Sequence, residues 1–315
     1  MTLQNIRQLK SQIRIPKVMG KVLFNSNMSS LTWLKAGGIA KVFYSPFDVL
    51  DLQHFLTKLN NKIAVYILGG GSNTLFRDWG YDGVVIKLNK KFDYLNILNE
   101  KKIKVGAATN CIKLARALAN NGIGGLEFLS GIPGTVGGAI KMNAGAYGKE
   151  TSNFLEEIKI INRMGKIKNI LAKEYNMGYR ETNFPDDFIF LEATFSCKES
   201  DIRENLNIIK KLNKKRKLTQ PITEKTSGSS FKNPKKFKAW KLIEESGCRN
   251  YKEGDACVSD MHANFIVNKG SATSSNIEKL GENIKGKVLE KFGIELIWEI
   301  QIIGNKENSF RGENV

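Results

Sequence analysis

The stretch GIPGTVGGAIKMNAGAYG, residues 131–148, places six glycines among apolar residues. Glycine inside an element costs roughly 0.5–1 kcal/mol relative to alanine, so such a run needs a compensating reason. Two interpretations fit: a flexible linker, or a surface that a ligand approaches at backbone distance. Flexible linkers are rich in Gly and Ser, whereas Ile132, Val136 and Tyr147 interrupt this run. The composition therefore favours the ligand-facing surface.

A second glycine run, GGGSN at residues 69–73, directly follows a predicted strand over Ile63–Leu68. A strand that ends in glycines can leave backbone N–H groups free to meet phosphate. The run is not a Rossmann fingerprint, because Thr74 stands where the third glycine would be, and the chain contains no P-loop sequence. Two such runs in one α+β region predict an extended phosphate-bearing cofactor.

The composition is that of a globular protein with a basic balance: 315 residues, 41% hydrophobic, with a net charge of +18. The length predicts two or three domains. The charge permits nucleic-acid binding or the steering of a polyanionic small substrate. The densest basic run is KKLNKKRKLTQP at residues 210–221. Ile202, Leu206 and Ile209 at helical spacing favour the solvated face of an amphipathic helix that ends before the proline.

Cysteine, histidine and hydropathy patterns exclude several classes of protein. The four cysteines are scattered without a CxxC pair, and His54 and His262 are the only histidines, so we expect neither disulfides nor a metal site. No segment is apolar enough for a membrane span, and the polar, basic N-terminus predicts no secretory signal. We therefore expect a cytoplasmic protein.

Local patterns predict further helices and strands. Ser45 as N-cap and Pro46 in the first turn predict a helix. A capping box of Ser275 and Glu278 predicts the start of a longer helix. The segment IELIWEIQIIG, residues 294–304, predicts a strand with two faces: Glu295, Ile297, Glu299 and Gln301 lie on one, and Trp298, Ile300 and Ile302 on the other.

Seven segments together resemble one enzyme family. They are LTWLKAGGIA (31–40), LGGGSNTLFRD (68–78), LEFLSGIPGTVGGAIKMNAGAYG (126–148), YRET (179–182), GSSFKNP (228–234), HANFIVN (262–268) and WEIQIIG (298–304). In order and spacing they resemble the UDP-N-acetylenolpyruvoylglucosamine reductases, the MurB family of flavoenzymes in bacterial peptidoglycan synthesis. The resemblance covers roughly residues 25–304.

The resemblance implies an α+β fold. A PCMH-type (vanillyl-alcohol-oxidase-like) FAD-binding region of two subdomains would precede a C-terminal α+β substrate-binding domain. The short interval between Arg180 and Ser229 resembles the family's type II form, which lacks an extra loop over the substrate. The expected divisions are an N-terminal extension over 1–24, the FAD-binding region over 25–217 with a split near 80, the substrate-binding domain over 218–304 and a polar tail over 305–315.

Non-covalent FAD, with NADPH as the hydride source, is implied by the same resemblance. The implied reaction reduces the enolpyruvyl ether of UDP-N-acetylglucosamine-enolpyruvate to UDP-N-acetylmuramate. The glycine runs would let backbone amides approach the FAD pyrophosphate without an intervening side chain. The expected cofactor-binding residues are Gly69, Gly70, Gly71, Ser72, Asn73, Gly131, Ile132, Pro133, Gly134, Thr135, Gly137, Gly138, Ala139, Asn143, Gly145 and Ala146.

Three residues match the family's catalytic positions. Arg180 is permanently charged and bidentate, which suits the substrate carboxylate. Ser229 matches the proton donor, and Ser230 occupies the variable position after it. Glu299, on the polar face of the last predicted strand, would hold the enol form or orient Arg180. The expected substrate contacts are Asn233, Lys217 and Tyr179.

Two alternatives stay open at this point. Another PCMH-type flavoprotein, such as an alcohol oxidase, would explain the glycine runs but not GSSFKNP together with Glu299. A basic nucleic-acid-binding protein would explain the charge, yet the sequence holds no recognised nucleic-acid module. We expect a UDP-sugar enolpyruvate and NADPH as partners, no nucleic acid, no membrane, and a monomer.

Overall fold

The computed structural model describes residues 13–306, which divide into two compact units. Each unit has its own hydrophobic core. Parts of the expected N-terminal extension (1–12) and polar tail (307–315) lie outside the described residues. The domain boundaries expected from the sequence stay a prediction. Unit 1 takes the described residues of Met1–Asn25, Lys41–Gly69 and Asp82–Ile202, and unit 2 those of Ser26–Ala40, Gly70–Tyr81 and Arg203–Val315.

Strands outnumber helices in the described chain. The strands are β1 (Lys21–Asn27), β2 (Ile39–Ser45), β3 (Ala64–Ile67), β4 (Thr74–Phe76), β5 (Tyr81–Ile86), β6 (Leu95–Asn99), β7 (Lys102–Gly106), β8 (Ile123–Gly124), β9 (Gly145–Ala146), β10 (Lys149–Glu150), β11 (Leu155–Ile161), β12 (Ile167–Leu171), β13 (Met177–Gly178), β14 (Glu181–Thr182), β15 (Ile189–Ser196), β16 (Lys198–Glu199), β17 (Lys225–Thr226), β18 (Lys252–Glu253), β19 (Ala256–Val258), β20 (Ile266–Asn268) and β21 (Gln301–Ile303). The α-helices are α1 (Val49–Lys58), α2 (Cys111–Asn120), α3 (Val136–Lys141), α4 (Ile202–Thr219), α5 (Ala239–Glu245) and α6 (Ser274–Phe292).

Unit 1 is built on two sheets. A four-stranded sheet has the order β1-β2-β5-β3, and a five-stranded antiparallel sheet has the order β12-β11-β15-β7-β6. Helix α1 buries Leu52 and Phe55 in one cluster with Val42 and Val84 of the first sheet. Strands β3 and β5 are parallel, so their carboxyl ends emerge at the same edge of that sheet. The first glycine run starts at this edge.

Helix α1 begins later than the sequence predicted. Ser45, the expected N-cap, is the last residue of β2, and Pro46 therefore precedes the helix. Asp48 caps the helix instead, because its carboxylate accepts a hydrogen bond from Asp51 N at 2.9 Å. An aspartate caps as well as a serine does, so the local sequence offered two starts.

Unit 2 packs helices α5 and α6 against an antiparallel sheet of order β17-β20-β19-β18. Leu242, Ile266 and Leu280 belong to its buried core. Strand β21 pairs in parallel with β4, with Gln301 opposite Thr74. The residues that follow GGGSN therefore lie beside the last strand of the described chain.

Helix α6 has a different cap from the one predicted. Thr273 is the N-cap and Asn276 completes the capping box. The box expected from Ser275 and Glu278 is therefore wrong. The carboxylate of Asp78 accepts hydrogen bonds from two amides of the first turn, and this contact from a distant segment fixes the start of the helix.

The expectations for the basic helix and for the last strand are confirmed in part. Helix α4 ends before the proline, but only Ile209 of its expected apolar face is buried, while Ile202 and Leu206 are exposed. Regular strand in the last segment is limited to β21, although Ile300 is buried and Ile297 exposed, as the alternation predicts. Within residues 13–306 no helix is long and apolar enough to cross a membrane.

Helix α6 meets the indole ring of Trp298 at a glycine. A Cβ built on Gly281 would overlap that ring, and Trp298 Nε1 donates a hydrogen bond to Glu282 Oε1 at 2.8 Å. The indole also lies 4.6 Å from the ring of Phe231, measured between centroids. The absence of a side chain at Gly281 thus sets how closely the helix packs on this tryptophan.

We predict that Gly281→Ala lowers the free energy of unfolding by roughly 1–3 kcal/mol, because an added methyl group overpacks the core. Gly286 lies on the same helix with no atom within 4 Å of its added Cβ. Gly286→Ala should therefore raise stability by about 0.5–1 kcal/mol through helix propensity. Urea unfolding of the two variants checks this, and a stabilised Gly281→Ala would contradict the packing.

Candidate active site

The two glycine runs meet within unit 1, at a place we name the glycine crease (Gly69, Thr135 and Gly138). A Cβ built on Gly69 would lie 2.9 Å from Thr135 Oγ1 and 3.8 Å from Gly138 Cα. A Cβ built on Gly138 would have Thr135 Oγ1 at 3.6 Å as its nearest neighbour. Because neither glycine carries a side chain, the backbone of both walls can be approached directly.

A half-buried ammonium lies at the glycine crease. Lys87 follows β5, and its Nζ donates a hydrogen bond to Gly69 O at 2.6 Å. Burial lowers the pKa of Lys87, and within residues 13–306 it forms no ion pair with a carboxylate. A desolvated cation in such a place is stabilised by a bound anion. Sequence reasoning missed this residue, because one lysine after a strand carries no signal of its own.

The glycine crease fits the phosphate-bearing part of FAD. Gly138 N reaches Thr135 Oγ1 only at 3.4 Å, a long hydrogen bond that leaves this amide weakly satisfied. The amides of Gly69 and Gly134 donate no hydrogen bond to another described residue. A pyrophosphate accepts hydrogen bonds from donors of these kinds, backbone N–H groups and an ammonium. The residues present therefore match the group that the sequence predicted.

The other expected cofactor-binding residues differ in exposure. Gly71 has an internal role, because its φ is +67° and an added Cβ would overlap the Leu31 carbonyl. Direct contacts with the cofactor stay a prediction for all of them. The buried ones are Gly71, Gly134, Ala139 and Asn143, and the partly exposed ones are Gly69, Gly70, Ser72, Asn73, Gly131, Ile132, Pro133, Thr135, Gly137, Gly138, Gly145 and Ala146.

Arg180 lies in the turn of the β13–β14 hairpin in unit 1. Its φ is +57°, a left-handed conformation that a non-glycine residue seldom adopts and that concentrates at functional sites. Its Nη2 donates a hydrogen bond to Gly145 O at 2.8 Å. The guanidinium carbon lies 5.3 Å from the ring centroid of Tyr179, which is 44% exposed. The fold thus directs this arginine to the second glycine run.

The segments that contain Ser229 and Glu299 are joined in unit 2 by a backbone hydrogen bond. Glu299 N donates a hydrogen bond to Ser230 O at 2.8 Å. Asn73, the last residue of GGGSN, holds the same segment: its Nδ2 donates to Glu299 O at 2.9 Å, and its carbonyl accepts from Gln301 N at 3.0 Å. The sequence suggested Asn73 as a cofactor contact, and the structure shows that its side chain fixes the Glu299 backbone.

The two adjacent serines differ in exposure. Ser230 is 1% exposed, and its Oγ accepts a hydrogen bond from Ile266 N at 3.1 Å. Ser229 is partly exposed. The hydroxyl of Ser230 is therefore hydrogen-bonded within the core of unit 2, and contact of Ser229 with a substrate stays a prediction.

The remaining expected substrate contacts also lie in unit 2. Asn233 Oδ1 accepts a hydrogen bond from Ala239 N at 2.9 Å, in the first turn of α5. Lys217 is exposed in the last turn of α4. The roles of Asn233 and Lys217 toward a substrate stay predictions.

Comparison with known proteins identifies two domains. Residues 220–303 match the C-terminal domain of UDP-N-acetylenolpyruvoylglucosamine reductase (MurB), and residues 40–170 match a FAD binding domain. These matches confirm the predicted α+β fold of a PCMH-type FAD-binding region with a C-terminal domain.

Proteins similar to this chain align with nearly its full length. A UDP-N-acetylenolpyruvoylglucosamine reductase of Orientia tsutsugamushi (strain Ikeda) is 43% identical over 301 residues, which are 95% of this chain and 99% of that protein. One of Methylorubrum populi is 44% identical over 92% of this chain and 94% of its own. The crystal structure of MurB from Thermus caldophilus has a TM-score of 0.79 at 30% identity and covers 92% of this chain and 99% of that one. The chain therefore belongs to the UDP-N-acetylenolpyruvoylglucosamine reductase family.

Proposed function

We propose that this chain reduces the enolpyruvyl ether of UDP-N-acetylglucosamine-enolpyruvate to UDP-N-acetylmuramate, a step of peptidoglycan precursor synthesis. Family membership supports the reaction. The structural observation that supports this reaction most is the 2.8 Å hydrogen bond from Glu299 N to Ser230 O, which joins the segments of Ser229 and Glu299. The hydride chemistry at the methylene carbon of the ether would come from bound FAD, with NADPH as the reductant.

The glycine crease would hold the FAD pyrophosphate. The amides of Gly69, Gly134 and Gly138 would donate to phosphate oxygens, and the ammonium of Lys87 would offset their charge. The protein's net charge of +18 would also steer an anionic substrate to the enzyme. The type II form, a cytoplasmic location and a monomeric state remain predictions.

Each of the three catalytic residues has its own role toward the substrate. Arg180 binds the carboxylate, so the negative charge that develops beside it during the reaction meets a permanent cation. Ser229 Oγ gives its proton to the carbon that bears the carboxylate. Glu299, whose backbone is held by Ser230 and Asn73, stabilises the enol form of the substrate.

We predict that Ser229→Ala keeps flavin reduction by NADPH but stalls once the enolpyruvyl substrate is added, because no proton reaches the new carbanion. Ser230→Ala is the matched control, since its hydroxyl is bonded to Ile266 N. It should turn over almost as the wild type does, with some loss of stability. Anaerobic stopped-flow absorbance of the flavin separates the two half-reactions.

The serine assignment has two outcomes that would refute it. Impaired turnover in Ser230→Ala with normal turnover in Ser229→Ala would shift the proton donor by one residue. Normal turnover in both variants would assign the proton to water or to another group. Deuterium incorporated from solvent at the lactyl carbon should fall together with turnover in Ser229→Ala.

We predict that Glu299→Gln retains FAD and fold but lowers kcat by about 10²–10³-fold, as when a group that stabilises transition-state charge is removed. Glu295 lies in the same segment and is exposed, so Glu295→Gln controls for the loss of one negative charge. Steady-state kinetics and bound-flavin absorbance check both variants. Equal kcat values in the two would show that Glu299 is an ordinary surface carboxylate.

A further inference from the structure

The hairpin that carries Arg180 is too short to be stable alone. Strands β13 and β14 have two residues each, joined through the pairs Met177–Thr182 and Gly178–Glu181. An isolated two-stranded hairpin of any length is marginal in water. The left-handed φ of Arg180 adds a cost that the surroundings must offset. The position of this arginine therefore depends on what holds the hairpin.

Asn143 holds the first strand of the hairpin. Its Nδ2 donates a hydrogen bond to Gly178 O at 2.9 Å and lies 3.3 Å from Met177 O. The residue is completely buried, with a φ of +39°. Asparagine suits this place, because it tolerates positive φ and offers two donors and an acceptor on one short side chain.

The asparagine is itself fixed from the other side. Its Nδ2 also donates to Glu150 Oε2 at 3.0 Å, and its Oδ1 accepts from Ser152 N at 2.9 Å. The amide hydrogens thus have acceptors within the protein. A buried amide with such partners is held rigidly, because each lost hydrogen bond would leave an unsatisfied group.

Two further hydrogen bonds attach the hairpin to the same stretch of chain. Thr182 Oγ1 donates to Lys141 O at 2.9 Å, and Arg180 Nη2 donates to Gly145 O at 2.8 Å. The hairpin is therefore tied at three places to the segment 141–145, the KMNAG part of the second glycine run. Asn143 is the tie in the middle.

We infer that Asn143 is a positioning residue for the reaction, which acts by holding the β13–β14 hairpin so that Arg180 meets the substrate carboxylate. The inference rests on the proposed function of Arg180. It assigns the side chain of Asn143 to the arginine hairpin rather than to the cofactor. Misplacing a charged group by about 1 Å can cost up to 10²-fold in rate, so the effect is measurable.

A double-mutant cycle tests the inference. Asn143→Asp is nearly isosteric and keeps the acceptor for Ser152 N, but it removes the donors to Gly178, Met177 and Glu150. We expect about a 10–100-fold loss of kcat/KM for the enolpyruvyl substrate, with FAD affinity and flavin reduction by NADPH close to wild type. In an Arg180→Ala background the same change should have almost no further effect, because a residue that acts through Arg180 has nothing left to position.

Asn162→Ala is the matched control for stability. Asn162 Oδ1 accepts hydrogen bonds from the amides of Met164 and Lys166 in the β11–β12 turn of the same unit. This variant should lower the thermal midpoint and leave kcat/KM unchanged. If Asn143→Asp does not fold, Asn143→Ser carries the same cycle without an added charge.

Each outcome decides between the proposals. Losses that multiply in the double variant would overturn the inference, because Asn143 would then act independently of Arg180. A loss of FAD affinity in Asn143→Asp that Asn162→Ala does not share would also overturn it, in favour of cofactor binding. Unchanged kcat/KM in Arg180→Ala would instead refute the proposed role of the arginine itself.

Discussion

The close approach of two backbone segments at Gly69 and Thr135 is the constraint on which the proposed cofactor site of unit 1 depends. A single methyl group at Gly69 would come within 2.9 Å of Thr135 Oγ1. Parallel pairing of β3 with β5 places Lys87 at the same edge, where its ammonium meets the Gly69 carbonyl. Glycine costs stability because it is flexible in the unfolded chain. Here the missing side chains leave backbone amides and the Lys87 ammonium open to a phosphate.

In unit 2 hydrogen bonds fix the position of a candidate residue, whereas the candidate cofactor site of unit 1 depends on glycines that lack side chains. Glu299 sits in a segment with little regular structure, so its position comes from the contacts of its backbone with Ser230 and Asn73. The preceding residue, Trp298, packs against α6 at Gly281, where the helix has no side chain. A carboxylate whose flanking backbone is fixed in this way loses little entropy when a substrate binds, which is the advantage of a preorganised site.

The parts of the fold that could be predicted from sequence are those fixed by local chemistry. The strand before GGGSN and the motifs of the two glycine runs needed no knowledge of the tertiary structure. The helix starts at Ser45 and Ser275 were wrong because two side chains competed for each cap, and for α6 the contact from Asp78 decided. Such a contact, between residues far apart in sequence, leaves no local trace.

The same limit applies to the candidate site. The family motifs supplied Arg180, Ser229 and Glu299, but Lys87 depends on a parallel strand pair that no local pattern encodes. Asn143 was expected at the cofactor because it lies in a glycine motif. Its bonds reach Met177 and Gly178, more than thirty residues further along the chain, and so its place under the arginine hairpin emerges only from the fold.

A crystal structure of the chain with FAD would show where the cofactor phosphates bind. We expect the pyrophosphate at the glycine crease, with its oxygens within hydrogen-bond distance of Gly138 N and Lys87 Nζ. A pyrophosphate bound away from Gly69 and Gly138, or a purified chain that stays colourless and cannot be reconstituted with FAD, would contradict it.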